Sequence, residues 1–173
     1  MQGEKVILRA IELDDIDFLY EMENDVATWA VSDTQMPFSR HTMEQYVLNC
    51  SNQDIYTLKQ LRLMICRLSD RKVIGCIDLF DFNPIHLRAA VGILICPAYR
   101  KQGYAAEALQ LLIRYASTIL QLKQLYCQVD AGNLPSLRLF EKQGFVQTGV
   151  FQSWHKTSAL KWEDEYLLQR LLF

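Results

Sequence analysis

The sequence predicts a mixed α/β sandwich: a central, mostly antiparallel sheet with helices packed against it. Three observations carry this. Three strand-like runs, Leu61–Leu68, Val73–Phe82 and Leu87–Cys96, follow one another on short turns. Antiparallel pairing permits that, and an all-parallel doubly wound sheet does not. An apolar run, Val91–Cys96, leads through a tight turn into a segment from Gly103 to Leu120, where Ala105, Leu109, Leu112, Ile113, Ala116 and Leu120 recur at helical spacing. Over the whole chain the order is strand, helices, three strands, helix, strand, helix, two strands, a mixture that suits one layered α/β domain spanning residues 1–173.

Val6–Ala10 reads as the first strand. Leu13–Asn24 reads as a helix, with Asp14 and Asp15 in the first turn, where the dipole favours anions, and Ile16, Leu19, Tyr20 and Glu23 along one face. Asn24–Ser39, with its polar punctuation, Trp29 and Pro37, reads as a loop with at most a short helical turn. Ser39–Asn49 reads as a second helix capped by Ser39 or Thr42. Leu61–Leu68 and Val73–Phe82 flank a turn at Ser69–Lys72, and Gly75 marks a bulge or a close packing point. Asp78 and Asp81 interrupt the second of these apolar runs, where a carboxylate is costly unless solvated or paired. Asn83–His86 is a turn, and Pro97 ends the strand that follows. After the long helix come a strand, Leu125–Asp130, and a short helix, Asn133–Gln143, stopped by Gly144. Phe145–Phe151 and Glu165–Phe173 read as closing strands around a polar loop, Ser153–Asp164, that holds Trp154, His155 and Trp162.

Half of the residues are hydrophobic and 22% are charged, a globular rather than a disordered balance. The net charge of −2 gives no general attraction to nucleic acid or to an anionic membrane, and no apolar run approaches the roughly 18 residues that span a bilayer. No signal peptide is visible at the N-terminus. Cys50, Cys66, Cys76, Cys96 and Cys127 are odd in number and irregularly spaced, with no C-x-x-C pair. That pattern suits small buried hydrophobes in a reducing compartment rather than a disulfide framework, and the expected location is cytoplasmic. His41, His86 and His155 are scattered without metal-ligand spacing, so no metal is expected.

The chemistry concentrates in Tyr99-Arg-Lys-Gln-Gly-Tyr-Ala105. A turn that opens a helix leaves backbone N–H groups unpaired, and with the helix dipole they make an anion site. Gly103 and Ala105 leave room for a close-lying phosphate, and Arg100 and Lys101 add positive charge. Two further pieces follow, Asn133-Leu-Pro-Ser136 and Phe140-Glu-Lys-Gln-Gly-Phe145. With these three in this order, the chain resembles the GNAT superfamily of acetyl-CoA-dependent N-acetyltransferases over nearly its whole length. Arg100-Lys-Gln-Gly103-Tyr-Ala105 matches that family's R/Q-x-x-G-x-G/A pyrophosphate loop. Asn133-x-x-Ser136 and Gly144-Phe145 match its later signature.

The resemblance implies the GNAT fold, in which the strands at Leu87–Cys96 and Leu125–Asp130 splay apart around the pantetheine arm of acetyl-CoA. Backbone groups of Ile93, Leu94 and Ile95 would hold the arm and face the thioester oxygen. Arg100, Lys101, Gln102, Gly103, Tyr104, Ala105 and Ala106 would hold the pyrophosphate. Asn133 would bind the pantetheine while capping its own helix, and Lys142 would meet the nucleotide phosphates. The first two helices would wall the acceptor site with Trp29, Asp33, Tyr46 and the acidic Glu21, Glu23 and Asp25. Asp78 and Asp81 would offer further anionic groups to an ammonium.

The chain looks most like the spermidine/diamine branch and the ribosomal-protein N-terminal acetyltransferase branch. It departs from them where a proton is needed. Phe140 stands where many diamine enzymes place a tyrosine acid, and Ala90 where a core-strand carboxylate is common. Ser136 is then the candidate partner for the leaving thiolate. Asp81, or a water held by Asp78, Asp81 or Asp130, is the candidate base, with Tyr126 and His86 in reserve. The expected activity is direct acetyl transfer from acetyl-CoA to a primary amine, a polyamine first, then a protein N-terminus, then an aminoglycoside or amino acid. The rival is a module that binds acetyl-CoA without turnover. A homo-oligomer is in keeping with such folds.

Overall fold

The computed structural model describes residues 1–32, 34–158 and 160–173, without the side chains of Ala30, Val31 and Ser158. Its strands are β1 (Val6–Ala10), β2 (Leu61–Arg67), β3 (Val73–Asn83), β4 (Arg88–Ile95), β5 (Gln124–Asp130), β6 (Val146–Ser158) and β7 (Lys161–Leu171). They form one sheet in the order β1-β2-β3-β4-β5-β7-β6. Every neighbouring pair is antiparallel except β4 with β5, which is parallel. The helices are α1 (Ile16–Glu23), α2 (Val26–Ser32), α3 (Arg40–Asn52), α4 (Ile55–Leu58), α5 (Tyr104–Thr118) and α6 (Leu134–Lys142).

Strand alternation divides the core between the two faces of the sheet. On one face Ala89, Val91 and Ile95 of β4 and Leu125, Cys127 and Val129 of β5 pack with Leu109, Leu112 and Ala116 of α5 and Leu137 and Phe140 of α6. On the other face Met64, Cys66 and Cys76 pack with Leu19 and Met22 of α1 and Met43 and Val47 of α3, and Leu94 lies against them. The long apolar helix is the sheet's main cover on the first face because its stripe is wide enough to bury six residues.

Several boundaries move from the sequence expectation. The stretch read as a loop after Asn24 contains a full helix, α2, opened by Asp25, whose Oδ1 accepts the Ala27 N–H at 3.0 Å. Ser39 does cap α3, accepting from Thr42 N–H at 3.1 Å, and the helix runs on to Asn52. The largest change is at the C-terminal end, where the polar loop expected over Ser153–Asp164 is instead a continuation of the β6–β7 ladder, with His155 opposite Glu163 and Lys156 opposite Trp162. Trp154 and Trp162 remain more than half exposed, so this part of the ladder has no apolar alternation by which to recognise it.

One contact fixes the start of α5 to the start of the sheet. The Glu107 carboxylate, in the helix's first turn, accepts the backbone N–H groups of Glu4, Lys5 and Val6 at 2.7, 2.8 and 2.8 Å. It anchors the entry to β1 beside the loop that opens the helix.

Candidate active site

Hydrogen-bonded register joins β4 to β5 only at Arg88↔Gln124, Ala89↔Leu125 and Ala90↔Tyr126 among the described residues. Beyond that, β4 continues along β3 to Ile95↔Gly75, and β5 continues along β7 to Asp130↔Glu165. The two parallel strands therefore part after Ala90 and Tyr126. Each wall of the gap carries backbone N–H and C=O groups without a strand partner, a slot shaped for a chain with amides of its own. Ile93, Leu94 and Ile95 lie on one wall.

At the wide end of that gap is the loop Arg100–Gly103. Lys101 and Gly103 both adopt positive φ, 62° and 85°, and turn the chain so that α5 begins at Tyr104. The first amide to bond back is Glu107, to Gly103 O at 3.2 Å, so the N–H groups of Tyr104, Ala105 and Ala106 precede the helical ladder. A Cβ on Gly103 would lie 3.2 Å from Lys5 Nζ, and that same ammonium reaches Gln102 O at 3.4 Å. Lys5 thus adds a positive charge that comes from the far end of the chain. The Arg100 Nε donates to Ile95 O at 2.9 Å, and Gln102 Nε2 to Ala98 O at 3.3 Å, which ties the loop to the end of β4.

On the opposite wall Asn133 caps α6, its Oδ1 accepting the Ser136 N–H at 3.3 Å, and Ser136 is half-buried in the first turn. Lys142 is exposed in the last turn of α6. Phe140 is buried edge-to-face on Phe145, with ring centroids 5.0 Å apart, and Ala90 is buried at the apex of the gap. Neither offers a proton.

The walls expected for the acceptor, α1 to α3, cover the other face of the sheet. A cleft there runs between Glu21, Asp25 and Thr28 on one side and, on the other, Leu94 near the end of β4 with Cys96 and Arg100 just beyond it. Glu23 does not join an open acidic face; it and Asp78 are drawn together by Arg62. The guanidinium donates to Glu23 Oε1 at 2.5 Å and to both oxygens of Asp78, at 2.8 and 3.0 Å, and stacks over the Tyr46 ring at 5.3 Å. Asp78 is therefore held by an arginine rather than standing open to an acceptor. The Trp29 indole N–H donates to Glu23 O at 2.9 Å, which places the ring at the α1–α2 junction. Asp33 lies outside the described residues.

Asp81 is exposed, at φ 48°, in an irregularity of the β3–β4 ladder, and accepts from the Tyr126 hydroxyl at 3.2 Å. Burial and the neighbouring Asp81 charge push the Tyr126 hydroxyl up from its ordinary range, so it keeps its proton at neutral pH. His86 is exposed on the turn before β4, with its backbone N–H on Asn83 Oδ1. Burial also pushes the thiols of Cys50, Cys66, Cys76 and Cys96 up, and that of Cys127 to about 12. Protonated thiols make poor nucleophiles, so none of the five cysteines is presented as an attacking thiolate.

One group of residues was not put together from the sequence. Asp130 at the end of β5, Glu165 on β7 and His155 on β6 converge, with His155 Nε2 3.1 Å from Asp130 Oδ1 and 3.1 Å from Glu165 Oε1. Gln128 Nε2 supports Glu165 Oε2 at 3.4 Å. In the sequence Asp130 is a candidate holder of a catalytic water, His155 is weighed only as a scattered metal ligand in a loop, and Glu165 reads as a strand end; the ladder's register brings them together.

A strand-shaped slot that ends at a glycine-opened helix N-terminus suits a long arm of amides carrying phosphates. The fold and the slot together define a coenzyme A-dependent acyltransferase. The model of the acetyltransferase (GNAT) domain matches residues 5–146, and the chain belongs to that family. Acetyl-CoA is accordingly its co-substrate. Spermidine N(1)-acetyltransferase of Vibrio cholerae is 26% identical over 147 residues, covering 85% of this chain and 82% of that protein. The Escherichia coli K12 spermidine N(1)-acetyltransferase is also 26% identical over 147 residues, with 85% and 76% covered. Among solved structures, the Vibrio cholerae spermidine N-acetyltransferase in complex with CoA and spermine superposes with a TM-score of 0.87 at 24% identity, covering 98% of this chain and 97% of that one. A dodecameric structure of the Vibrio cholerae enzyme superposes at 0.78 and 22% identity, with 98% and 95% covered. No helix among the described residues is long and apolar enough to cross a membrane.

Proposed function

We propose that this chain is a single-domain, cytoplasmic N-acetyltransferase that forms a homo-oligomer and moves the acetyl group of acetyl-CoA to a primary amine of a polyamine. The reading rests above all on the similarity to two spermidine acetyltransferases over 85% of the chain. The anionic groups beside the gap, Asp81 and the cleft's Glu21 and Asp25, support a cationic acceptor. A protein N-terminus carries one ammonium, whereas a polyamine can use several such carboxylates at once.

In this reading Tyr104, Ala105 and Ala106 bind the pyrophosphate through their backbone N–H groups, with Lys5, Arg100 and Lys101 supplying charge and Gln102 and Gly103 shaping the loop. Ile93, Leu94 and Ile95 align the arm along β4, Asn133 meets it from the other wall, and Lys142 meets the nucleotide phosphates. A backbone N–H on β4 faces the thioester oxygen and stabilises the charge that builds there. Ser136 receives the departing sulfur with its hydroxyl. Asp81 holds a distal ammonium of the acceptor; Trp29 shapes the acceptor wall, and Asp78 acts there through its pair with Arg62.

Thiol release from acetyl-CoA, followed with spermidine, putrescine, a short peptide with a free N-terminus, an aminoglycoside and no acceptor, tests the reading. Acceleration by the polyamines supports it. Acceleration by the peptide alone moves the acceptor to a protein N-terminus. Buried Phe140 and Ala90 favour one rival, a module that binds acetyl-CoA without turnover. That rival is the outcome if acetyl-CoA raises the melting temperature and no amine releases thiol.

Two variants refine the assignment. Asp81→Ala is expected to raise KM for a diamine several-fold more than for an amine with a neutral tail; equal effects on both remove Asp81 from the acceptor site. Ser136→Ala is expected to lower kcat by about 100-fold, the lower range for losing a proton donor, with KM for acetyl-CoA little changed. An unaltered kcat excludes the serine from the leaving-group step.

A further inference from the structure

We propose that Gly92 determines which amines react. The space left by its missing side chain is the passage by which the acceptor reaches the thioester, and it admits a primary amine borne on an unbranched carbon. This inference rests on the amine-acetylation reading above and narrows it to amines with a CH2 group next to the attacking nitrogen.

The first support is that nothing in the fold asks for a glycine here. Gly92 lies inside β4, within an unbroken run of register on β3 from Ile95↔Gly75 to Ala90↔Phe80, so it makes no bulge. Its backbone is not left-handed, as that of Gly103 is. A Cβ on Gly92 would meet its nearest atoms, Phe80 Cε1 and Asp78 Oδ2, at 3.4 and 4.0 Å, which are ordinary contacts. Gly75 is the contrast: a Cβ there would lie 2.1 Å from the Leu94 carbonyl oxygen, so packing demands that glycine. A glycine inside a strand weakens it, and one that neither packing nor backbone requires marks the close approach of another molecule.

The second support is where the space opens. Alternation puts Ala90, Gly92 and Leu94 on one face of β4, the face on which Leu94 packs with α1 and α3. Asp78, directly opposite Gly92 on β3, turns to the same face to meet Arg62. Ala90 pairs with Tyr126 in the last register pair of the parallel strands. Two residues on, where the strands have parted, Gly92 stands level with Gln128, which is exposed on the far wall. Gly92 also directly precedes Ile93, the first of the residues proposed to align the arm. An amine that enters over Gly92 therefore comes at the arm from the α1–α3 face.

Shape and charge are the third. The same-face neighbours Ala90 and Leu94 stand about 7 Å to either side of Gly92 along the strand. The Leu94 side chain and the Phe80 ring take up part of that distance. With carbon–carbon contacts of about 3.5–4.0 Å, room remains for one alkyl chain, and a branch would have to displace Leu94 or Phe80. The space has an apolar side, Phe80, which is 39% exposed, and an anionic side, Asp78. Asp78, Glu23 and Arg62 together carry one negative charge. A CH2–NH3⁺ end matches both sides, with its methylene on the ring and its ammonium toward the carboxylate. The rest of a polyamine finds acids in either direction: Glu21 and Asp25 of the cleft that Leu94 lines, and Asp81 beside Tyr126. A peptide N-terminus, an amino acid and the ring amines of an aminoglycoside all carry nitrogen on a branched carbon.

The test is kcat/KM for putrescine and for its analogue with a methyl group on each amine-bearing carbon, in the wild-type chain, Gly92→Ala and Gly92→Val. Acetyl-CoA affinity by calorimetry and melting temperature are measured alongside. The two diamines share charge and spacing, so only the branch differs. The wild type is expected to prefer putrescine by about 10-fold or more. Gly92→Ala is expected to lose about 10-fold in kcat/KM for putrescine, and Gly92→Val on the order of 100-fold, while both bind acetyl-CoA as the wild type does. Gly92→Ala is expected to melt no lower than the wild type, because alanine suits a strand better than glycine; it carries the test if Gly92→Val does not fold. Equal rates for the two diamines in the wild type overturn the inference, as does an unchanged kcat/KM in the folded variants. A loss of acetyl-CoA affinity that matches the loss of activity also overturns it, since the space would then belong to the cofactor arm. A lowered melting temperature in Gly92→Ala overturns it in favour of a structural glycine. If the wild type acetylates neither putrescine nor spermidine, the amine reading fails and this inference with it; a wild type that acetylates them and variants that match it overturn this inference alone.

Discussion

Gly103→Asp abolishes acetyl-CoA binding, by more than about 100-fold in Kd, while the chain still folds. Two effects act together. At φ 85° the glycine occupies left-handed space, where a side chain adds about 1–2 kcal/mol of strain. The introduced carboxylate also takes the place intended for phosphate, within reach of Lys5 Nζ, and so offers the loop's cation an internal anion instead. Gly103→Ala separates the effects: its Cβ meets only the far end of a flexible lysine at 3.2 Å, so a smaller loss is expected. Titration calorimetry with acetyl-CoA measures both. Normal affinity in a folded Gly103→Asp chain would remove this loop from the cofactor site.

Arg62→Ala lowers the melting temperature by roughly 10 °C. Arg62, Glu23 and Asp78 are each only about one-fifth exposed, at 19%, 18% and 21%. Taking the arginine away leaves two carboxylates facing each other in a poorly solvated site, and breaking such a pair costs about 3–5 kcal/mol. For a chain of this length each kcal/mol moves the midpoint by about 2–4 °C. The triple change Arg62→Met, Glu23→Gln and Asp78→Asn is expected to melt well above Arg62→Ala, because no charge is stranded. Thermal denaturation followed by circular dichroism checks both. A midpoint for Arg62→Ala within about 2 °C of the wild type would mean that water, and not the guanidinium, satisfies the carboxylates.

The loop proposed for the cofactor was legible because it is local. Strand, glycine turn and helix adjoin in sequence from Val91 to Leu120, and the anion loop follows from the order of residue types alone. The proposed acceptor half is not local. Arg62 on β2 meets Asp78 directly opposite on β3 and Glu23 at the end of α1, so the spacing of the acids along the chain did not disclose that an arginine holds them. Lys5 joins the loop from nearly a hundred residues away. His155 was hidden by the polarity of its surroundings: with Trp154 and Trp162 facing solvent, the strands around it carry no apolar alternation, and only backbone pairing reveals them. Phe140 and Ala90, by contrast, were read correctly as unable to titrate, since that depends on residue type and not on placement.

The three pairs between β4 and β5 have a mechanical meaning. Among the described residues they are the only ladder pairs that join a four-stranded half-sheet, β1 to β4, to a three-stranded one, β5, β7 and β6. A bound arm lying between the walls would bridge the halves as an additional strand, turning a narrow hinge into a continuous sheet. The co-substrate would then be part of the architecture as well as the chemistry. Those amides of Val91–Ile95 and Cys127–Asp130 that face the gap, rather than β3 or β7, would exchange slowly with solvent only while it is in place.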